Sequence, residues 1–146
     1  MKYINEMKIE FPGRSINESF ARAVVASFAA QLDPTVDEIN DIKTAVSEAV
    51  TNCIVHAYPE KIGTVIVKAR ISEDGQVEIV VKDRGVGIAD IEKARTPMYS
   101  TGKDERSGMG FTIMESFMDK LSVRSKVGGG TTVRMVKKIA PRAGSR

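Results

Sequence analysis

Little in this sequence can staple the chain or ligate a metal. Its single cysteine, Cys53, permits no internal disulfide, and its single histidine, His56, permits no zinc cluster. Both scarcities suit a reducing cytoplasm. No apolar run approaches the roughly 20 residues of a membrane span. Lys2, Asn5, Glu6 and Lys8 interrupt any signal-peptide core at the N-terminus. Aromatic residues make up only 5% of the chain and the net charge is only +3. Basic stripes with interleaved aromatics are missing, so neither direct nucleic-acid binding nor a membrane is expected. Much of the positive excess lies near the end, in Lys137, Lys138, Arg142 and Arg146.

What is present is an ordinary globular composition, 42% hydrophobic and 28% charged. A chain of 146 residues is long enough for one domain with its own core. Residues 1–139 are expected to form it. Residues 140–146 have no apolar pattern and read as a disordered tail.

Hydrophobic periodicity orders the elements. Tyr3, Met7, Ile9 and Phe11 fall on odd positions, as in a half-buried strand. Pro12-Gly13 ends it. Ser15 and Glu18 have the spacing of a capping box opening a helix to about Gln31, with Phe20, Val24, Phe28 and Leu32 as its packing stripe. Asp33 reads as the N-cap of a second helix, with Pro34 in its first turn. That helix runs to about Ala57 and buries Ile39, Ile42, Val46, Ala49, Val50, Cys53 and Ala57. Val65, Val67, Ala69 and Ile71 then alternate with outward residues, Asp74-Gly75 makes a hairpin turn, and Val77, Ile79 and Val81 return. Residues 90–107 are poorly patterned, with room for one short helix. A helix from about Gly108 to Lys120 precedes two strands, 121–126 and 131–138. The order β-α-α-β-β-loop-α-β-β excludes a doubly wound parallel sheet. It predicts an α+β, two-layer sandwich: a mixed, mostly antiparallel sheet with helices on one face.

Three clusters could carry chemistry. Strand parity runs from Val77, Ile79 and Val81 to Asp83, aiming that carboxylate toward the core. An inward carboxylate is costly unless hydrogen-bonded. Nearby amides in an Asx turn would satisfy it, and so would the exocyclic amine of a base such as adenine. Gly85 and Gly87 would then allow backbone to approach the ligand. Glu48, Asn52 and His56 fall at i, i+4 and i+8, a single helical row. The row is either a solvated surface or one wall of a cleft. Val55 and Ala45 beside it favour the cleft. A carboxylate and an amide one turn apart suit a polarised hydroxyl beside a Mg²⁺-bound phosphate, because Mg²⁺ needs few protein ligands. His56 reads as structural. Gly108-Met109-Gly110 opens a helix whose free amides favour phosphate. Neither a Rossmann fingerprint nor a Walker A loop fits: Ile113 stands where the third glycine belongs, and Asp104 follows Lys103. The segment holding Thr101, Lys103, Arg106 and Ser107 reads as a cover over polyphosphate, or as an ordinary charged loop. Gly128-Gly129-Gly130-Thr131 reads at least as a hairpin turn.

Taken together, residues 48–52 (EAVTN), 83–87 (DRGVG), 108–110 (GMG) and 128–131 (GGGT) resemble the conserved boxes of the gyrase, Hsp90, histidine kinase and MutL ATPase superfamily. Their order and spacing match, and they span most of the chain. Residues 97–99 (PMY) resemble a degenerate form of the aromatic lid box of histidine kinases, with Met98 in place of phenylalanine. Within the superfamily, residues 17–22 (NESFAR), 31–34 (QLDP), 47–52 (SEAVTN) and 106–115 (RSGMGFTIME) are most similar to the anti-sigma factors of sporulating bacteria that are also serine protein kinases.

The resemblance implies a Bergerat-type ATP-binding fold that uses ATP and Mg²⁺. It also implies capture of a sporulation sigma factor and phosphorylation of a serine on an anti-anti-sigma protein. By it, Glu48 is the general base, Asn52 the Mg²⁺ ligand and Asp83 the reader of adenine. Arg106, Gly108 and Gly110 hold phosphates, and Thr131 supports the adenine site. Gly85, Gly87, Ile88, Thr101, Lys103, Ser107 and Met109 complete the nucleotide-binding set. Arg22 is the only charge between Ser19 and Gln31; it is either an intramolecular partner or, as the resemblance suggests, a contact for an acidic patch on a protein partner. The first strand, if at a sheet edge, could pair with its own copy in a homodimer. A histidine kinase fragment is the weaker expectation, since the lone histidine lies inside the second helix. A nucleotide-regulated binding module without phosphoryl transfer is the other alternative.

Overall fold

In the computed structural model, residues 2–95 and 110–141 are described. Five strands form one sheet in the order β1-β2-β3-β5-β4: β1 (Tyr3–Pro12), β2 (Thr64–Ser72), β3 (Gln76–Asp83), β4 (Lys120–Lys126) and β5 (Gly130–Lys138). Every pairing is antiparallel, where the sequence pattern left room for a mixed sheet. The helices are α1 (Asn17–Ala29), α2 (Val36–Asn52), the short α3 (Ile91–Ala94) and α4 (Gly110–Phe117). The expected α+β, helix-on-sheet architecture is therefore present.

Period-2 alternation placed the strands well. Val65, Val67, Ala69 and Ile71 of β2 and Val77, Ile79 and Val81 of β3 are all buried in one core. The Asp74-Gly75 turn joins these two strands, and the Gly75 carbonyl also receives the Ile139 amide at 2.9 Å. β1 departs from its expected pattern at one end. Its register with β2 shifts between Tyr3 and Asn5. Tyr3 consequently sits with Glu78 and Arg70 on the helix-free face rather than beside Met7, Ile9 and Phe11. On that face Glu78 is almost fully enclosed. Arg70 Nε donates to it at 2.6 Å and Arg134 Nε at 2.8 Å.

Helix boundaries and faces needed more correction. The Ser15 capping box does not form. The chain is already helical at Ile16, so Ser15 contributes only its backbone carbonyl, to the Glu18 amide, and the Glu18 carboxylate turns to Arg22. The buried stripe of α1 is Ala21, Val25 and Ala29, continued by Leu32. Phe20, Val24 and Phe28 lie one residue off that stripe, and Phe20 remains 49% exposed with its edge against Phe11. Small side chains at 21 and 29 let α1 lie close on its neighbours, and the larger ones flank the seam.

Asp33 is not the N-cap of α2. It adopts a left-handed conformation (φ 52°) that ends the single 3₁₀ turn Ala30–Leu32. Thr35 caps instead. Its hydroxyl accepts the Glu38 amide at 3.1 Å, and the Glu38 carboxylate accepts the Thr35 amide at 2.8 Å. The other Glu38 oxygen receives the Ala140 amide at 3.0 Å, so the chain is held against α2 as far as Ala140. These amides and the Thr35 hydroxyl outweigh burial and keep the Glu38 carboxyl below its usual range. α2 continues to Ala57 as expected, but its last turn, Cys53–Ala57, is π-helical. The one short helix expected after residue 90 is α3, N-capped by Asp90. Among the described residues no helix is long and apolar enough to cross a membrane.

Candidate functional site

A cavity of about 500 Å³ opens between the end of α2, the segment after β3 and the start of β5. Its walls are mainly apolar, with a few convergent polar groups, as is usual for small-molecule sites. Asn52, Cys53 and His56 line it from α2 and the π-helical turn. Asp83, Gly87 and Ile88 line it from β3 and the following segment, and Thr131 lines it from β5.

Asp83 points inward, as strand parity required, and is only 4% exposed. Its Oδ1 accepts the Gly85 amide at 2.9 Å and the Thr131 amide at 3.1 Å. The carboxylate therefore has the local turn bond that the sequence suggested and, in addition, a bond from a strand 48 residues away. Cys53 lies beside it. Burial first, and then the Asp83 charge and hydrogen bond, push the Cys53 thiol well above its ordinary pKa, so it stays protonated. Thr131 belongs to a small hydroxyl relay. Its Oγ1 lies 2.8 Å from Ser125 Oγ, which accepts the Ile88 amide at 2.7 Å.

Packing by itself already requires glycine at positions 85 and 87. A Cβ on Gly85 would overlap the Ala57 carbonyl, and a Cβ on Gly87 would overlap the Lys126 carbonyl. Gly87 also has φ +78°, which favours glycine. The two glycines let the segment after Asp83 pack against the end of α2 on one side and the β4–β5 hairpin on the other. Hydrogen bonds follow the same route. The Val86 amide donates to the Ala57 carbonyl at 2.9 Å, and the Gly128 amide donates to the Val86 carbonyl at 2.8 Å.

The α2 row is partly brought into the site. Asn52 and His56 line the cavity, whereas Glu48, one turn earlier and half-buried, is not among its lining residues. His56, read as structural from sequence, proves to be a wall residue. Gly110, at the start of α4, abuts Asn52: a Cβ there would sit 3.2 Å from both side-chain heteroatoms of the amide. Thr101, Lys103, Arg106, Ser107, Gly108 and Met109, like residues 97–99, lie outside the described residues. Arg22 stands on α1, away from the cavity walls. Its guanidinium lies 3.4 Å from Glu18 and 3.3 Å from Ser47. Among the described residues no group of three or more His, Cys, Asp or Glu could hold a metal ion.

The sequence put Cys53 on the core face and His56 in the Glu48–Asn52 row without assigning either to the site, and it gave Tyr58 no role. Cys53 and His56 carried a usable signal: both are within four residues of Asn52 on the same helix. Tyr58, which receives the Arg84 amide at 2.7 Å, carried none.

An inward carboxylate on a small apolar cavity, walled by a helix bearing an amide, is an arrangement suited to a small-molecule ligand. Residues 12–137 match the family of histidine kinase-like ATPase domains, and the chain belongs to that family. Solved structures share the fold. The RsbU and RsbW domain protein of Mycobacterium tuberculosis superposes with a TM-score of 0.69 at 20% identity, over 95% of this chain and 34% of that one. The mycobacterial sensor histidine kinase MprB gives 0.59 at 16% identity, over 93% of this chain and all of that one.

Within the family the full-length similarity is to anti-sigma F factors. That of Thermoanaerobacter sp. (strain X514) is 59% identical, covering 95% of this chain and 97% of its own length. That of Geobacillus kaustophilus is 57% identical, covering 93% and 94%. The chain groups with these anti-sigma factors.

Proposed function

We propose that this anti-sigma factor is an ATP-dependent protein serine kinase. It captures a sporulation sigma factor of the sigma-F type and phosphorylates a serine of an anti-anti-sigma protein. The observation that carries the nucleotide reading is Asp83. Two backbone amides fall on its Oδ1, and the carboxylate stands on the wall of an apolar cavity sized for a nucleoside. In this reading the carboxylate accepts the exocyclic amine of adenine. Thr131, Ile88, Gly85 and Gly87 hold the segment that frames the base.

ATP supplies the phosphoryl group and Mg²⁺ neutralises its charge; the chain's own residues position both. Asn52 offers one side-chain oxygen, which suffices for an ion that keeps phosphates and waters as its other ligands. Gly110 and the residues before it, among them Thr101, Lys103, Arg106, Ser107, Gly108 and Met109, supply amides and cations to the polyphosphate. Glu48 takes the proton of the substrate serine as the hydroxyl attacks. Arg22, half-exposed on α1, meets an acidic patch on a protein partner. β1 at the sheet edge gives a surface for pairing with a second copy in a homodimer. The single buried thiol suits a cytoplasmic setting.

One observation favours a binding module without transfer: Glu48 is outside the set of cavity-lining residues. Incubation with γ-labelled ATP, Mg²⁺ and a candidate anti-anti-sigma protein separates the readings. Phosphoserine supports the kinase, phosphohistidine a histidine kinase-like activity, and no transfer the binding module.

A further inference from the structure

Tyr58 follows the π-helical turn and is only 7% exposed. Its hydroxyl bridges the start of β2 and the residue just after β3. It donates to the Thr64 carbonyl at 2.8 Å and accepts the Arg84 amide at 2.7 Å. Arg84 immediately follows Asp83. The ring rests against Gly63, where any Cβ would overlap it, so the phenol has a fixed seat. Burial raises the phenol's pKa, and the nearby Asp83 charge adds to this, so it stays a neutral donor and acceptor. One residue earlier, the Ala57 carbonyl takes the Val86 amide, and Gly85 packs on Ala57 without room for a side chain. The end of α2 thus grips the chain at 84 and 86. The residue between, Gly85, donates to the Asp83 carboxylate.

We infer that Tyr58 is a positioning residue for base selectivity: through the Arg84 amide its hydroxyl sets where the Asp83 carboxylate faces the cavity. This rests on the reading of Asp83 as the adenine acceptor. Tyr58 does not touch the base. It fixes the peptide that carries the reader and ties that peptide to the helix bearing Asn52. A 6-amino purine is then preferred over a 6-oxo purine only while this staple holds.

The test compares ATP with ITP, which has an oxo group in place of the amine, by titration calorimetry on wild type and Tyr58→Phe. The variant keeps the ring in its seat on Gly63 and loses only the hydroxyl. The ATP-over-ITP preference should fall about three- to tenfold, the scale of one net hydrogen bond, with tripolyphosphate affinity unchanged. A preference retained in Tyr58→Phe, whatever happens to its melting temperature, makes Tyr58 merely structural and overturns the inference. Equal wild-type affinities for ATP and ITP would instead defeat the Asp83 reading, and this one with it. Amide hydrogen exchange on the unaltered protein gives a check independent of folding in the variant. The Arg84 amide should exchange as slowly as the β2–β3 ladder amides, and exchange at the rate of an exposed turn overturns the staple.

Discussion

Asp83→Asn separates the proposed ligand role of this residue from its structural one. The carboxylate accepts two backbone amides on Oδ1, at 2.9 and 3.1 Å, from Gly85 and Thr131. An asparagine has one acceptor oxygen and one donor nitrogen. If the oxygen stays on Gly85 and Thr131, the NH₂ faces the adenine amine, donor against donor. If the amide flips, the NH₂ faces the two backbone donors. One side is mismatched in either orientation. The first orientation keeps the fold, since both amides remain bonded, now to a neutral acceptor. The difference between charged and neutral hydrogen bonds is about 1 kcal/mol each, so the folded state should lose about 1–2 kcal/mol. For the ligand, loss of a charge-assisted bond of about 1.5–3 kcal/mol weakens ATP roughly 10- to 150-fold, and the opposed donors push toward the upper end. Calorimetric titration with ATP, ITP and tripolyphosphate reads this out. ATP should weaken about 10²-fold, tripolyphosphate should not change, and ITP should gain relative to ATP because its oxo group can accept from the new NH₂. Equal loss for ATP and tripolyphosphate would show a general disturbance of the site, and undiminished ATP affinity would remove Asp83 from base recognition.

Glu48→Gln should bind Mg²⁺-ATP within about twofold of wild type yet lose at least about 10²-fold in transfer to the serine substrate; undiminished transfer in a single-turnover assay would take Glu48 out of the base role. Arg22→Glu should leave ATP affinity unchanged and cost only a few tenths of a kcal/mol, about 0.5, because it sets a like charge one turn from Glu18. It should weaken sigma-factor capture about tenfold or more, and a normal pull-down sinks the partner role. Glu78 gives a pH prediction. Burial raises its carboxyl, but the Arg70 and Arg134 hydrogen bonds and charges together hold it below the ordinary value of 4.5. Its contribution is present above that ordinary value and lost as pH falls through the lower folded one. Glu78→Gln should therefore cost about 1–2 kcal/mol at neutral pH and flatten the acid limb of the stability curve. Parallel acid limbs in urea titrations at pH 3 to 7 would refute this.

The sequence by itself determined what depends on neighbours along the chain. Alternation set β2 and β3, the Asp74-Gly75 turn set their hairpin, and parity alone aimed Asp83 inward. The i, i+4, i+8 spacing put Asn52 and His56 on one wall, and the order of the glycine boxes indicated the family. Tertiary structure decided what depends on distant partners. Whether α1 buries Phe20 or Ala21 depends on how closely it can approach its neighbours, and its own periodicity allows either stripe. Asp33 could cap α2 in principle, but the preceding 3₁₀ turn ends there in a left-handed residue and hands the cap to Thr35. The packing role of Gly85 and Gly87 is visible only in the fold, because the sequence does not reveal that the Ala57 and Lys126 carbonyls occupy the space beside them. Asp83 likewise receives its second amide from Thr131 and has its flanking peptide fixed by Tyr58, contacts 48 and 26 residues apart. Local hydrogen bonding and side-chain period follow from the order of residues. Contacts across such separations exist only once the helices have packed onto the sheet, and those contacts turn an awkward inward carboxylate into a satisfied one on the wall of a cavity.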